Sequence, residues 1–171
     1  MSELFELDQK ICIAVLTVSD TRTPETDTGG ALVKTLAEAN GIEVAGYRIV
    51  KDNQAEIKRA VAEWLEENEL DAIISTGGTG IAKRDVSIEA IEPLFEKQIP
   101  GFGELFRFLS FTEDVGTRAL LSRASAGVTT DKAIFVLPGS RGAVKLAMER
   151  LVLPELAHIT FELGKHRQAR S

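Results

Sequence analysis
The chain has 171 residues, a formal net charge of −6 at pH 7, 44% hydrophobic and 27% charged residues. That balance excludes a disordered chain or a disulfide scaffold, and the length suits a single domain over 1–171 with a two- or three-layer core. The acidic excess argues against general nucleic-acid binding, so an anionic ligand would have to be held by local positive features.

Met1 to Lys10 is acidic and lacks the basic start of a signal peptide, and the densest apolar run, Ile11 to Val18, is too short to cross a bilayer. A cytoplasmic protein without a membrane partner is expected. Cys12 is the only cysteine, so no disulfide can form within the chain, and its apolar setting predicts a buried, inert thiol. Cys12 to Val18 reads as a buried strand, and Thr28 to Ala39 as a helix with Ala31, Leu32, Leu36 and Ala39 on one face, ending at Asn40-Gly41. Glu43 to Val50 is a second strand. Gln54 to Glu67 places Ile57, Ala60, Val61, Trp64 and Leu65 at helical spacing, with Asn53 and Glu56 as its start signal. A third strand, Ala72 to Ser75, runs into Ser75-Thr76-Gly77-Gly78-Thr79-Gly80, followed by Lys83-Arg84-Asp85 and a helix from Ser87 to Phe95.

Pro100-Gly101 then leads into an aromatic helix with Phe102, Leu105, Phe106 and Leu109 on one face. Phe108 and Phe111 fall off that face, the pattern of a helix deep in a core or in a subunit contact. Ala124 to Thr129 and Ala133 to Leu137 are two more strands around the turn Thr130-Asp131-Lys132. A last helix begins near Gly142, with Pro154 predicting a kink or break, and the polar tail Lys165 to Ser171 is expected to fray.

Strands alternating with helices predict βαβ units, a mainly parallel sheet covered on both faces, and ligands at the C-terminal ends of the strands. The residues after those ends are Ser19-Asp20-Thr21-Arg22, Lys51-Asp52-Asn53, Thr76 to Gly80 and Pro138-Gly139-Ser140-Arg141. In the glycine loop, backbone N–H groups can approach an oxyanion such as phosphate, with the Thr76 and Thr79 hydroxyls as further donors. The alternative is a tight strand-to-helix turn without a ligand. A Walker loop is excluded because no Gly-Lys-Ser/Thr occurs, and a dinucleotide fingerprint because Lys83 stands where its third glycine belongs.

Asp85 beside an anion site is repulsive unless a cation intervenes, and magnesium is the usual one. Its other use is helix capping, which Ser87 could take over. Asp52 poses the same choice, with Asn53 already available as a cap. Asp20 and Asp27 flank a loop containing Pro24, where acidic residues mostly make turns. Arg22, Lys51, Lys83, Arg84, Arg118, Arg123 and Arg141 lie at or near strand ends and could clamp anions as a group. His158 and His166 lack zinc-type spacing, and no Ser-His-Asp arrangement is present.

Thr17-Val18-Ser19-Asp20 with Asp27 to Gly29, the Ser75 to Gly80 loop with Arg84-Asp85 and Glu89-Ala90, Pro100-Gly101-Phe102, Leu121-Ser122-Arg123 with Ala126-Gly127, and Leu137-Pro138-Gly139 occur in this order over almost the whole chain. In this the sequence resembles the MoaB/Mog family of molybdenum-cofactor biosynthesis proteins, related to the gephyrin G domain. The resemblance implies a three-layer α/β/α fold, a homotrimer or hexamer, and transfer of AMP from Mg-ATP to the terminal phosphate of molybdopterin with release of pyrophosphate. It implies Asp52 and Asp85 as essential carboxylates acting through Mg²⁺. Thr76, Gly77, Gly78, Thr79 and Gly80 would contact nucleotide or pterin phosphate, and Ser19, Asp20, Ser122 and Arg123 would line the pterin end, with Pro138, Gly139 and Ser140 nearby. A molybdenum-insertion protein is an implied partner. Where many catalytic relatives carry Pro-Gly-x-Pro, this chain has Pro138-Gly139-Ser140-Arg141-Gly142, which resembles the MoaB branch and leaves a non-catalytic molybdopterin binder or carrier as the alternative. Thr28-Gly29 replaces a Ser-Gly pair and keeps a hydroxyl.

Overall fold
Strand β1 (Cys12–Val18) is buried on both faces, with Ile13 and Val15 in one helix-covered core and Ala14, Leu16 and Val18 in the other. This two-sided apolar run is what a strand inside a covered parallel sheet requires. The computed structural model describes the backbone of residues 10–168 and the side chains of residues 10–164. After β1 come α1 (Thr28–Ala39), β2 (Glu43–Val50), α2 (Gln54–Leu65), β3 (Ala72–Thr76), α3 (Ser87–Ile91), β4 (Lys97–Gln98), α4 (Pro100–Glu113), β5 (Ser125–Thr129), β6 (Lys132–Leu137), α5 (Arg141–Ala147) and α6 (Leu153–Gln168). The sheet order is β2-β1-β3-β6-β5-β4. The first four of these strands are parallel, while β5 runs antiparallel to β6 and β4 antiparallel to β5.

The sheet alternation continues through β3 and β6: Ala72, Ile74, Ala133, Phe135 and Leu137 face the layer of α1, α4, α5 and α6, and Ile73, Ile134 and Val136 face α2 and α3. The two cores make the expected three-layer α/β/α fold. Ile57, Val61 and Trp64 fill the second core from α2, each large side chain worth about 1.5–3 kcal/mol relative to exposure.

Several elements depart from the sequence expectation for identifiable reasons. The helix after the glycine loop stops at Ile91 and finishes as a 3-10 turn over Glu92–Leu94, because Pro93 cannot donate to an α-helical ladder. Helix α4 starts at Pro100 itself, at the first helical position where a missing N–H costs nothing. On α4, Phe102 and Phe106 are buried, with Phe102 meeting Phe135 edge-on at 5.3 Å. Leu105, expected on that buried face, is instead 53% exposed, beside Phe108 at 62% and Phe111 at 54%.

Pro154 does not break the last helix. A π turn over Met148–Val152 joins α5 to α6, and the Leu153 N–H donates to the Met148 carbonyl five residues back. The wider turn makes room just before the proline, whose ring would otherwise collide with the carbonyl of the preceding turn. The helix backbone continues to Gln168, and residues 169–171 and 1–9, which include part of the tail expected to fray, lie outside the described chain. Cys12 is half-buried rather than buried; burial, then Glu43, Asp71 and Glu69, push its thiol upward, which keeps it protonated and unreactive. Among the described residues no helix is long and apolar enough to cross a membrane.

Candidate functional site
The connection after β1 leads to β2 on one side, while β3 is followed across the sheet by β6 on the other, so the C-terminal ends of β1 and β3 open a crevice of the kind that binds ligands in such sheets. Thr17 pairs with Thr76, and Thr76 with Leu137, at this edge. Gly77 follows with φ +94°, and a Cβ there would lie 2.3 Å from the Val18 carbonyl oxygen. Gly78, with φ +71°, would put a Cβ 2.2 Å from Ser87 Oγ. Only glycine fits this close, left-handed path.

The loop is tied down at its start and open at its end. The Gly77 N–H donates to the Leu137 carbonyl at 2.9 Å, which removes it from the anion-contacting amides expected there. Ser87 does not cap α3: Val86 holds the cap position, while Ser87 Oγ donates to the Gly77 carbonyl at 2.8 Å and its N–H to the Gly78 carbonyl at 3.1 Å. The amides of Gly78, Thr79 and Gly80 have no protein partner among the described residues. These three are the loop donors available to an oxyanion.

Arg123 holds the outer side of the loop. Its Nε and Nη2 donate to the Gly80 carbonyl at 3.0 and 2.8 Å, Nη2 also to the Asp85 carbonyl, and Nη1 pairs with Glu89. Its guanidinium is therefore occupied in positioning the loop. Asp85 accepts the Ala82 N–H at 3.0 Å on one carboxylate oxygen, capping the turn that carries Lys83 and Arg84.

Asn53 caps α2 by accepting the Glu56 N–H at 3.0 Å, as the sequence predicts, and this leaves the Asp52 side chain free of capping. The Asp52 N–H instead donates to Asp20 Oδ1 at 3.0 Å, bringing two acidic residues from different strand ends together. Burial raises the Asp52 carboxyl above its usual range; Asp20 and Asp85 raise it further, against opposing effects of the Asp20 hydrogen bond and Arg84. Asp20 and Asp85 thus both lie within electrostatic reach of Asp52. Among the described residues no three His, Cys, Asp or Glu side chains are placed to hold a metal by themselves. Asp52 and Asp85 are the two carboxylates that could take part in holding a magnesium ion, which binds one or two carboxylates and completes its shell with phosphate and water.

Asp27 carries more than the turn expected of it. Its carboxylate is 4% exposed, caps α1 by accepting the Gly30 N–H at 3.0 Å, and receives the Thr17 hydroxyl at 2.6 Å and the Tyr47 hydroxyl at 2.5 Å. Burial first, and then this carboxylate, keep the Tyr47 phenol protonated well beyond its ordinary range. The cap was legible in Asp27 followed by Thr28-Gly29-Gly30, whereas the meeting with Tyr47 needed the β1–β2 pairing.

Two adjoining cavities hold most of the expected residues, but Asp20 and Asp52 line neither of them. The smaller, about 240 Å³, is lined by Thr17, Ser19, Arg22, Asp27, Thr76 and Gly77. The larger, about 590 Å³, has Gly78, Thr79, Gly80, Asp85, Ser122 and Pro138 in its wall. Gly139 and Ser140 line both. Ser19 Oγ accepts the N–H groups of Thr21 and Arg22, Ser122 Oγ that of Ala124, and Ser140 Oγ caps α5 at the Ala143 N–H. Arg123 lines a separate recess beside α4. The larger cavity also contains Ser110, Asp114 and Arg118; of these the sequence drew attention only to Arg118.

Residues 14–158 match the family model described as "Probable molybdopterin binding domain". The chain is 59% identical over 162 residues to molybdenum cofactor biosynthesis protein B of Staphylococcus aureus (strain COL), covering 94% of this chain and 96% of that protein. Among solved structures, a molybdenum cofactor biosynthesis protein B superposes with a TM-score of 0.90 at 49% identity, over 95% of this chain and 100% of the other. The tungsten cofactor synthesizing protein MoaB from Pyrococcus furiosus superposes with a TM-score of 0.79 at 35% identity, over 96% and 100%.

Proposed function
From a chain that belongs to the molybdopterin-binding-domain family and its MoaB/Mog members, we propose an enzyme of molybdenum cofactor biosynthesis that transfers AMP from ATP to the terminal phosphate of molybdopterin. A phosphate oxygen of molybdopterin attacks the α-phosphorus of ATP, the bond to the β-phosphate oxygen breaks, and pyrophosphate leaves. The observation that carries the reading is the Asp52 carboxyl, raised by burial and by Asp20 and Asp85, at the same sheet edge as the three unpaired amides of Gly78, Thr79 and Gly80. Acidic crowding beside a phosphate cradle is relieved when a cation and phosphates occupy the space between.

Asp52 and Asp85 would hold Mg²⁺, whose chemistry is to neutralise charge on the transferring phosphates. The loop amides orient a phosphate oxygen, and Arg123 fixes the loop through the Gly80 and Asp85 carbonyls. Nucleotidyl transfer rests on alignment and charge neutralisation, so no protein nucleophile is required. The exposed Leu105, Phe108 and Phe111 face of α4 is the surface we assign to contacts between copies in a trimer or hexamer.

Incubation of the purified chain with Mg-ATP and molybdopterin tests the proposal. Pyrophosphate and adenylylated pterin should form in equal amounts. Tight molybdopterin binding with no product would replace it with the carrier alternative.

A further inference from the structure
The larger cavity contains polar groups with nothing to bind in the protein. Thr79 is 4% and Ser110 3% exposed, both line the cavity, and neither hydroxyl has a hydrogen-bond partner among the described residues. Sealed side-chain oxygens without partners occur at Ser75 and Thr160; those of Thr79 and Ser110 are not sealed and open onto the space their residues line. Hydroxyls that open onto a cavity with no protein partner are groups that a polar ligand can bind there. Asp114, at the end of α4, lies against the first turn of α5, with its Oδ1 3.3 Å from where a Gly142 Cβ would stand. Asp114 is exposed, and its carboxylate has neither an ion pair nor a hydrogen bond among the described residues.

Phe106 and Ala143 supply apolar wall beside these groups, so the cavity suits a flat heterocycle with a polar edge. A carboxylate accepts only. The 2-amino-4-oxo edge of a pterin offers two adjacent N–H donors, which match two carboxylate oxygens, whereas the amino edge of adenine pairs one donor with an acceptor and fits an ionised carboxylate poorly. We propose, resting on the molybdopterin reading above, that Asp114 is the specificity-determining residue that takes the 2-amino edge of the pterin, with Ser110 as its neighbouring hydrogen-bond group and Thr79 towards the phosphate end. The adenine of ATP is then bound elsewhere along the crevice.

Fluorescence titration with 6-hydroxymethylpterin monophosphate, and with the corresponding lumazine phosphate in which a carbonyl replaces the 2-amino group, tests this. Wild type should prefer the pterin by about tenfold or more. Asp114→Asn should reduce the preference to within about threefold, and Ser110→Ala should weaken pterin binding several-fold. Neither substitution should change ATP binding, and circular dichroism should show both variants folded. An undiminished preference in folded Asp114→Asn, or a loss of ATP binding instead, would overturn this assignment and leave the transferase reading standing. Failure of wild type to bind either phosphate would remove both.

Discussion

The Thr17 hydroxyl donates to Asp27 Oδ2 at 2.6 Å, joining the end of β1 to the cap of α1 beneath the smaller cavity. Tyr47 donates to the same oxygen from β2, so one buried carboxylate ties two strands and a helix together. Replacing it leaves two hydroxyls and the Gly30 amide short of an acceptor. Asp27→Ala should destabilise the chain by about 3 kcal/mol, and Tyr47→Phe by about 1 kcal/mol, in urea unfolding.

Gly77 should resist substitution for two separable reasons, its φ of +94° and the 2.3 Å approach of a Cβ to the Val18 carbonyl oxygen. Gly77→Ala is expected to lower the urea midpoint by an amount equivalent to about 2 kcal/mol or more. Gly101→Ala, where a Cβ meets nothing within 4 Å in α4, should be neutral or slightly stabilising.

The raised Asp52 carboxyl fixes the sign of a pH effect. Because the folded state holds this proton more tightly than the unfolded chain, its ionisation costs stability as pH rises from the unfolded to the folded value, and the cost persists above both. Asp52→Asn should therefore raise the melting temperature at neutral pH without added cation, with the gain disappearing below the unfolded aspartate range. Magnesium with a nucleotide should stabilise wild type more than the variant, which differential scanning calorimetry measures directly.

The exposed apolar stripe on α4 predicts the assembly. Sedimentation of wild type should give a trimer or hexamer, and Phe108→Asp should shift it towards monomer with the helix content unchanged. A monomeric wild type would return the stripe to an unassigned surface.

Much of the fold was legible because period-2 and period-3.6 patterns are local: β1, α1 and β2 have the predicted bounds, and Asn53 caps α2 as read. The short edge strand β4 was not legible, since Lys97 and Gln98 are exposed and owe their extended form to pairing with β5. Pro154 misled because the π turn before it depends on how the helix accommodates the ring rather than on a composition signal. At the site, the glycine loop and the strand-end aspartates were visible as residue types. The commitment of Gly77 N–H to Leu137, of Ser87 to the loop carbonyl, and of Arg123 to Gly80 and Asp85 is long-range or conformational and has no sequence signature. Ser110 sits in, and Asp114 just after, an aromatic helix that reads as core or interface, which hid their place in the larger cavity.

The central claim is that Asp52 and Asp85 support AMP transfer rather than hold the structure. Wild type, Asp52→Asn and Asp85→Asn should be compared for turnover of Mg-ATP and molybdopterin to adenylylated pterin, alongside their dissociation constants for molybdopterin. The account predicts that each variant remains folded and binds molybdopterin within about threefold of wild type while kcat falls by about 100-fold or more. Turnover at the wild-type rate in either variant, or no turnover in any of the three, would contradict it.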